Sequence, residues 1–412
     1  MAINQEFLNK YAKAIVKVGI NVQKNDNIII NCDLDSLPFV RNIAKICWQA
    51  GANDVLIKIN DNELQRIAYE DAKLESLQKV EDFKVDYSVA LMKNNYHRMS
   101  INSEYPGYFS HINEERLRAA QIAKAKASEP LQKYMDQGNI KWVVADTASP
   151  YWAKILFPDL DEELAMENLW NLIFQSCHID ANDPIKNWEK HDQYLKLYEN
   201  WLNKQNFEYL IYEAPNTNLT VHLAENHKWV GGSSTTPNGI KYMANMPTEE
   251  IFTTPHRNRV DGYVTSTKPL AVMGKIINQF KLIFKDGKVV DFEASENADV
   301  LQILLDTDES AMHLGEIALV PHSSPISKTE KLFKATLFDE NASCHFALGQ
   351  SYAETLINGE NLSDNQRLKL GANRSLIHVD FMVGSNELNI TGVKKDGSKT
   401  SILKNGEWAF KL

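Results

Sequence analysis

At 412 residues, 43% of them hydrophobic and 24% charged, the chain is too long for one ordinary core and too apolar for intrinsic disorder, so two globular domains are expected. A formal net charge of −10 argues against nucleic acid as a partner, because proteins that bind a phosphate backbone carry a basic domain or stripe. No stretch reaches about 18 apolar residues, and the opening segment MAINQEF carries charge where an export signal needs an apolar core; neither a membrane partner nor that export route is expected.

Phe7, Leu8, Tyr11, Ile15 and Val18 recur at helical spacing and predict an amphipathic first helix. Residues 27–31 (NIIIN) read as a buried strand, residues 36–50 as a helix capped by Ser36 and ended by Gly51, and residues 54–59 (DVLIKI) as a second strand, together a βαβ unit. The turn between them (NCDLDS) lacks the glycines that would let a backbone approach a pyrophosphate, which argues against a dinucleotide role. Residues 87–91 (YSVAL) and 142–145 (WVVA) read as further buried strands. Between them lies a long helix, 113–136, on which Lys124, Lys126 and Lys133 form a solvated face. The first half is therefore an α/β domain with a mostly parallel sheet.

Helical spacing dominates 164–202, and from Phe207 the texture changes to short alternating strands: 209–212, 219–223 and a hairpin within 276–292 that turns at Asp286-Gly287. The boundary is placed near residue 206. This gives an N-terminal α/β domain (1–206) and an α+β C-terminal domain (207–412) with an antiparallel sheet. Cys32, Cys47, Cys177 and Cys344 show no CxxC spacing, so a disulfide framework or thiolate zinc site is not expected and a reducing cytoplasm fits.

Strong local motifs are lacking: there is no GxxxxGK[ST], GxGxxG or HExxH, and GQSYA at 349–353 is a poor serine elbow, with Ala353 replacing the second glycine and no convincing preceding strand. Four segments of the second half instead set polar residues in apolar surroundings. In the first, NMPTEEIFTTPH (245–256), Glu249 and Glu250 adjoin Ile251 and Phe252; burying them requires a cation, or ion pairs with Arg257 and Arg259. In the second, Glu316 opens the apolar run of HLGEIALVP, either as a solvated strand end or as a ligand. The third, LFDENASCHFALG, sets Glu340 and His345 five residues apart. The fourth, LIHVDFMV, puts His378 and Asp380 on one face of a strand while Ile377, Val379 and Phe381 face the other. A His-x-Asp pair is either a compact two-ligand bite for a divalent cation or a core histidine held by an acid. Together Glu250, Glu316, Glu340, His345, His378 and Asp380 supply the carboxylate-rich mixture that two divalent ions need.

At PTEEIFTTPH (247–256), GEIALV (315–320), LFDEN (337–341) with His345, Tyr352, and IHVDFM (377–382), the chain resembles the M29 metallopeptidases, the thermophilic-type aminopeptidase T and aminopeptidase S group. The resemblance covers nearly the whole chain. It implies that Glu250, Glu316, His345, His378 and Asp380 bind two metal ions, with Glu316 shared between them, and that Glu340 is a further ligand. It also implies that Tyr352 and Glu316 are catalytic. Implied with these are a metal-activated water, cobalt, zinc or magnesium as the ions, short peptides as substrates and a cytoplasmic homodimer. Two rivals keep the same residues: a metal-independent glycoside hydrolase using the carboxylates, and a peptide-binding protein without activity.

Overall fold

The computed structural model describes residues 3–412 apart from Gly274. Met1, Ala2 and the side chain of Lys133, which entered the sequence reading, lie outside the described residues. The chain forms two compact units. The first runs to Asp192 and takes in Ser233–Thr248; the second comprises Gln193–Gly232 and Glu249–Leu412. No helix among the described residues is long and apolar enough to cross a membrane.

The first unit starts with α1 (Gln5–Ala14), where the Asn4 side chain accepts from the amides of Glu6 and Phe7 and so satisfies two donors of the first turn. Its sheet contains β1 (Asn27–Asp33), followed by α2 (Leu37–Gln49), and β2 (Asp54–Asn60), followed by α3 (Asp82–Lys93). Then come β3 (Tyr96–Asn102), α4 (Glu114–Asp136) and β4 (Trp142–Asp146). β2, β1, β3 and β4 lie side by side in that order, all parallel, and the two-residue strand Asn245–Met246 adds to β4 in the same sense. This is the expected α/β half. Lys124 and Lys126 are exposed on α4.

Two local expectations fail here. Residues 87–91 are helical, inside α3, and the third strand is 96–102. An apolar run this short fits either period; as a helix it buries Leu91 and Met92 and leaves Tyr87 mostly exposed. β3 hides from an apolar search because His97, Arg98 and Ser100 interrupt it, although His97, Met99 and Ile101 alternate as its buried side. Ser36 does not cap α2: its hydroxyl is buried within 2.6 Å of Thr147 Oγ1 and 2.9 Å of Ser103 Oγ. The predominantly helical stretch 164–202 is as expected and consists of two helices, α5 (Glu162–Ser176) and α6 (Pro184–Gln205), with His178 between them in the left-handed region at φ 56°.

The second unit is built on two antiparallel sheets. Its strands in chain order begin with β5 (Tyr209–Ala214), β6 (Thr217–Leu223), β7 (Val230–Gly231), β8 (Ile251–Thr253) and β9 (Pro255–Thr265). There follow β10 (Lys281–Lys285), β11 (Lys288–Glu293), β12 (Leu314–Leu319), β13 (His345–Gly349) and β14 (His378–Met382). The last three are β15 (Asn389–Val393), β16 (Lys399–Lys404) and β17 (Glu407–Trp408). One sheet runs β11-β10-β9-β6-β5-β15-β16-β17 and the other β14-β13-β12-β8-β7. The predicted turn at Asp286-Gly287 joins β10 to β11 with positive φ at both residues (50° and 81°), the conformation a tight hairpin demands.

The five-stranded sheet presents one face to the core. Ile251, Ile317, Leu319, Phe346, Leu348 and Phe381 pack there with Tyr212 and Phe280. The Phe346 ring lies 4.8 Å from that of Tyr212 and 5.9 Å from that of Phe381. Each such ring contributes on the order of 2–3 kcal/mol by leaving water, which fixes the register and hence what the opposite face displays.

Candidate metal centre

The opposite face of that sheet carries the polar residues singled out in the sequence. Register alone brings them together: Glu316 on β12 lies across from Ala347 on β13, and Ala347 across from Asp380 on β14. In neighbouring rows Phe252, Ala318, His345 and Met382 are aligned, as are Gly349 and His378. Glu250 precedes β8 by one residue and is two residues before Phe252.

The sequence shapes this face at Gly315. The register slips between Leu314 and Glu316, and a side chain at Gly315 would fall against the carbonyls of Gly349 and Gln350. Only glycine permits that approach, and the bulge aims Glu316 at the ligand face. Ile377 and Phe381 are in the core while His378 and Asp380 share the other side, as strand alternation predicts.

Two clusters result, Glu250 with Glu316 and His345, and Glu316 with His378 and Asp380; within each, the possible ligand atoms all lie within 4.8 Å of one another. His345 Nε2 is 3.1 Å from Glu250 Oε2 and 3.6 Å from Glu316 Oε1. His378 Nε2 is 3.7 Å from Glu316 Oε2 and 3.3 Å from Asp380 Oδ1. The two oxygens of Glu316 thus face different imidazoles.

The far side of each ring is fixed by the main chain. His345 Nδ1 lies 3.0 Å from the Ser343 carbonyl and His378 Nδ1 2.7 Å from the Gln350 carbonyl. A carbonyl only accepts, so each Nδ1 bears a proton and each Nε2 is the atom turned to the carboxylates. His345 Nε2 and Asp380 Oδ1 are buried without an aligned hydrogen bond despite these short distances. A ring nitrogen turned to carboxylates needs positive charge between them, which a second ring proton or a bound cation supplies. Imidazole nitrogen and carboxylate oxygen are both good donors to a borderline divalent ion, and an Nδ1-to-carbonyl bond is the usual support of a ligating histidine, so the donor set fits a metal.

Electrostatics point the same way. Burial pushes the Glu316 carboxyl up to about 7, with Glu250 and Asp380 adding repulsion against the pull of His345 and His378. Glu340 is raised well above the carboxylate range by burial, then by Asp380 and Glu250. Burial alone would lower both imidazoles, yet the carboxylates outweigh it, raising His345 well above its ordinary value and His378 to about 9. For Asp380 burial acts upward and the His378 charge prevails, lowering it. The raised imidazoles mark a local surplus of buried carboxylate.

The remaining candidates separate clearly. Glu340 stands beside the five clustered residues, outside both clusters and half-buried, with Oε1 accepting from Asn341 Nδ2 at 3.3 Å. Arg259 pairs with Glu208 at 3.3 Å, and the nearest counter-charge of Glu250 is His345. His256 lies elsewhere, accepting from the Asn258 amide. A strand, β13, does precede Ser351, but its hydroxyl accepts from the Asn373 amide and, among the described residues, no imidazole bonds to it. The Tyr352 ring lies 4.7 Å from the His378 ring and edge-on to Phe252 at 6.1 Å. The tyrosine is 38% exposed, yet lost solvation and then Glu316, Asp380 and their neighbours raise its phenol well above 10. Sequence reasoning missed Ala347 and Asn341; the pairing register marks the first, and no local signal marks the second.

Residues 4–408 match the family described as "Thermophilic metalloprotease (M29)". The chain is 40% identical over 403 residues, 98% of each sequence, to "Aminopeptidase AmpS" of Bacillus subtilis (strain 168). It is 36% identical over 405 residues to "Aminopeptidase T" of Thermus aquaticus, covering 98% of this chain and 99% of that one. Among solved structures it superposes on "Wild-type AmpT from Thermus thermophilus" with a TM-score of 0.91 and 36% identity, covering 98% of this chain and all of that one.

Proposed function

The chain belongs to the M29 family of metallopeptidases and is a peptide hydrolase, and we propose that it releases N-terminal residues from short peptides at a centre of two divalent metal ions. Glu250 and His345 would hold one ion, His378 and Asp380 the other, and Glu316 both. The observation that carries this reading is the division of one buried carboxylate between two imidazoles whose other nitrogens are fixed by the main chain. Charge is consistent with the number two: Glu250, Glu316, Glu340 and Asp380 would supply four negative charges once ions displaced the protons that burial favours on Glu316 and Glu340, and two divalent cations would balance them. All six candidate ligands, Glu340 included as a further one, fall within 207–412, the half we assign to metal binding and catalysis.

Bound divalent ions would polarise the scissile carbonyl and lower the pKa of water toward neutrality. Glu316 would take part in catalysis as the carboxylate that holds both ions. Tyr352, protonated at neutral pH, would donate its hydroxyl proton to the oxygen on which charge develops. The sheet supplies rigidity, since four of the ligands stand on paired strands. Cobalt, zinc and magnesium all suit oxygen ligands with two imidazoles. As the family resemblance implies, we take the protein to work as a cytoplasmic homodimer; buried cysteine thiols suit a reducing compartment.

The test is release of leucine or arginine from unblocked and N-acetylated peptides, before and after chelation and with each ion restored. Chelator-sensitive release from unblocked peptides alone is expected. Release that survives complete chelation would sink the reading.

A further inference from the structure

We propose that Asn341 is the positioning residue of the metal centre, tying the main chain beside Glu250 to the carboxylate of Glu340; the inference rests on the reading of these two acids as ligands. The other candidate ligands stand within paired strands: Glu316 and His345 on β12 and β13, each flanked by two strands, and His378 and Asp380 on the edge strand β14, paired with β13. Glu250 and Glu340 do not. Glu250 lies just outside β8, and Glu340 begins a single turn of 3₁₀ helix, Glu340–Ala342. Something else must fix them.

Asn341 is fully buried and uses both ends of its amide. Its Oδ1 accepts from the Glu249 amide at 2.7 Å, across 92 residues of sequence. Its Nδ2 donates to the Leu337 carbonyl at 2.8 Å and to Glu340 Oε1 at 3.3 Å. One planar group therefore holds two acidic arms in a fixed relation and adds no charge to a site already rich in it. Neighbouring Asp339 serves a separate purpose, accepting from the amides of Phe333 and Ala335 and shaping its own turn. Asn341 instead reaches the main chain of Glu249, next to Glu250.

The chemistry of the amide separates the two halves of the role. Asn341→Asp keeps an oxygen for the Glu249 amide but replaces the Nδ2 donor by an acceptor, which repels the Leu337 carbonyl and Glu340 Oε1. Asn341→Ala removes both ties.

Apo-protein titrated with cobalt(II) against a competing chelator, read by visible absorption, gives stoichiometry and affinity; thermal unfolding of the chelated protein is measured alongside. We expect Asn341→Asp to weaken ion binding on the order of 10- to 100-fold and to alter the cobalt spectrum, as loss of a ligand's support does. Asn341→Ala should weaken it further, and if that variant fails to fold, Asn341→Asp carries the test. A residue with only a structural role would lower the unfolding temperature of the chelated variants and leave affinity and spectrum at wild-type values; that result overturns the proposal. Wild-type protein that takes up no cobalt would overturn the metal reading itself, and this inference with it.

Discussion

The register of the three central strands makes a quantitative prediction at a residue with no polar atom in its side chain. Ala347 sits directly between Glu316 and Asp380, fully buried, on the ligand face of β13. Adjacent strands are about 4.8 Å apart, so the two acids reach toward each other over the Ala347 methyl group. Ligand oxygens stand only about 2.0–2.2 Å from a bound ion, which leaves no room there for an extra carbon. Ala347→Leu adds three carbons. If the space were ordinary core, overpacking would cost about 1–3 kcal/mol of stability and nothing more. If it is the ion site, affinity should fall by about 100-fold or more, equivalent to about 2.8 kcal/mol. Equilibrium dialysis with elemental analysis measures the ions, and circular dichroism with thermal unfolding measures the fold. Ala347→Gly is the control, expected to retain the ions at a stability cost of roughly 0.5–1 kcal/mol. Wild-type stoichiometry and affinity in the Ala347→Leu protein would refute the geometry.

Other outcomes follow from the same arrangement. Tyr352→Phe should lower turnover on the order of 10²–10³-fold, the usual loss of one oxyanion donor, while metal content stays unchanged; equal turnover would remove the hydroxyl from the mechanism. Gly315→Ala should disturb the bulge that aims Glu316, lowering ion affinity as well as stability, and an unaffected affinity would show that the bulge does not set the ligand. Metal-stripped protein should lose stability as pH rises. Glu316 has its folded pKa raised from 4.5 to about 7, so its protonated form favours the fold below 4.5 and that contribution disappears by about 7, roughly 3 kcal/mol. His378, raised from 6.5 to about 9, contributes below 6.5 and loses its share by about 9. Denaturant unfolding in excess chelator across that range should show the decline; stability flat or rising with pH would contradict it.

Much of the fold was legible because its signals are local. The run NIIIN, the alternation of 219–223 and the Asp286-Gly287 turn each satisfy one period or one turn geometry within a few residues. β3 was not legible, since its buried positions include His97 and its other side is polar, and neither was the helical state of 82–93. The candidate metal centre divides in the same way. His378 and Asp380 could be paired from sequence, because two residues of one strand decide it. The convergence of Glu250, Glu316 and His345 depends on pairing among β8, β12 and β13, which no local pattern encodes; there the family resemblance, and not periodicity, supplied the grouping. Glu340 stands next to the clusters without joining either, at the start of a 3₁₀ turn that no periodicity marks.

The most direct test of the central claim is anomalous diffraction from crystals grown with cobalt or zinc, recorded on both sides of the metal edge. Two anomalous peaks per chain are expected flanking the Glu316 carboxylate, one beside His345 and Glu250, the other beside His378 and Asp380. A single peak, or none near Glu316, would contradict that claim.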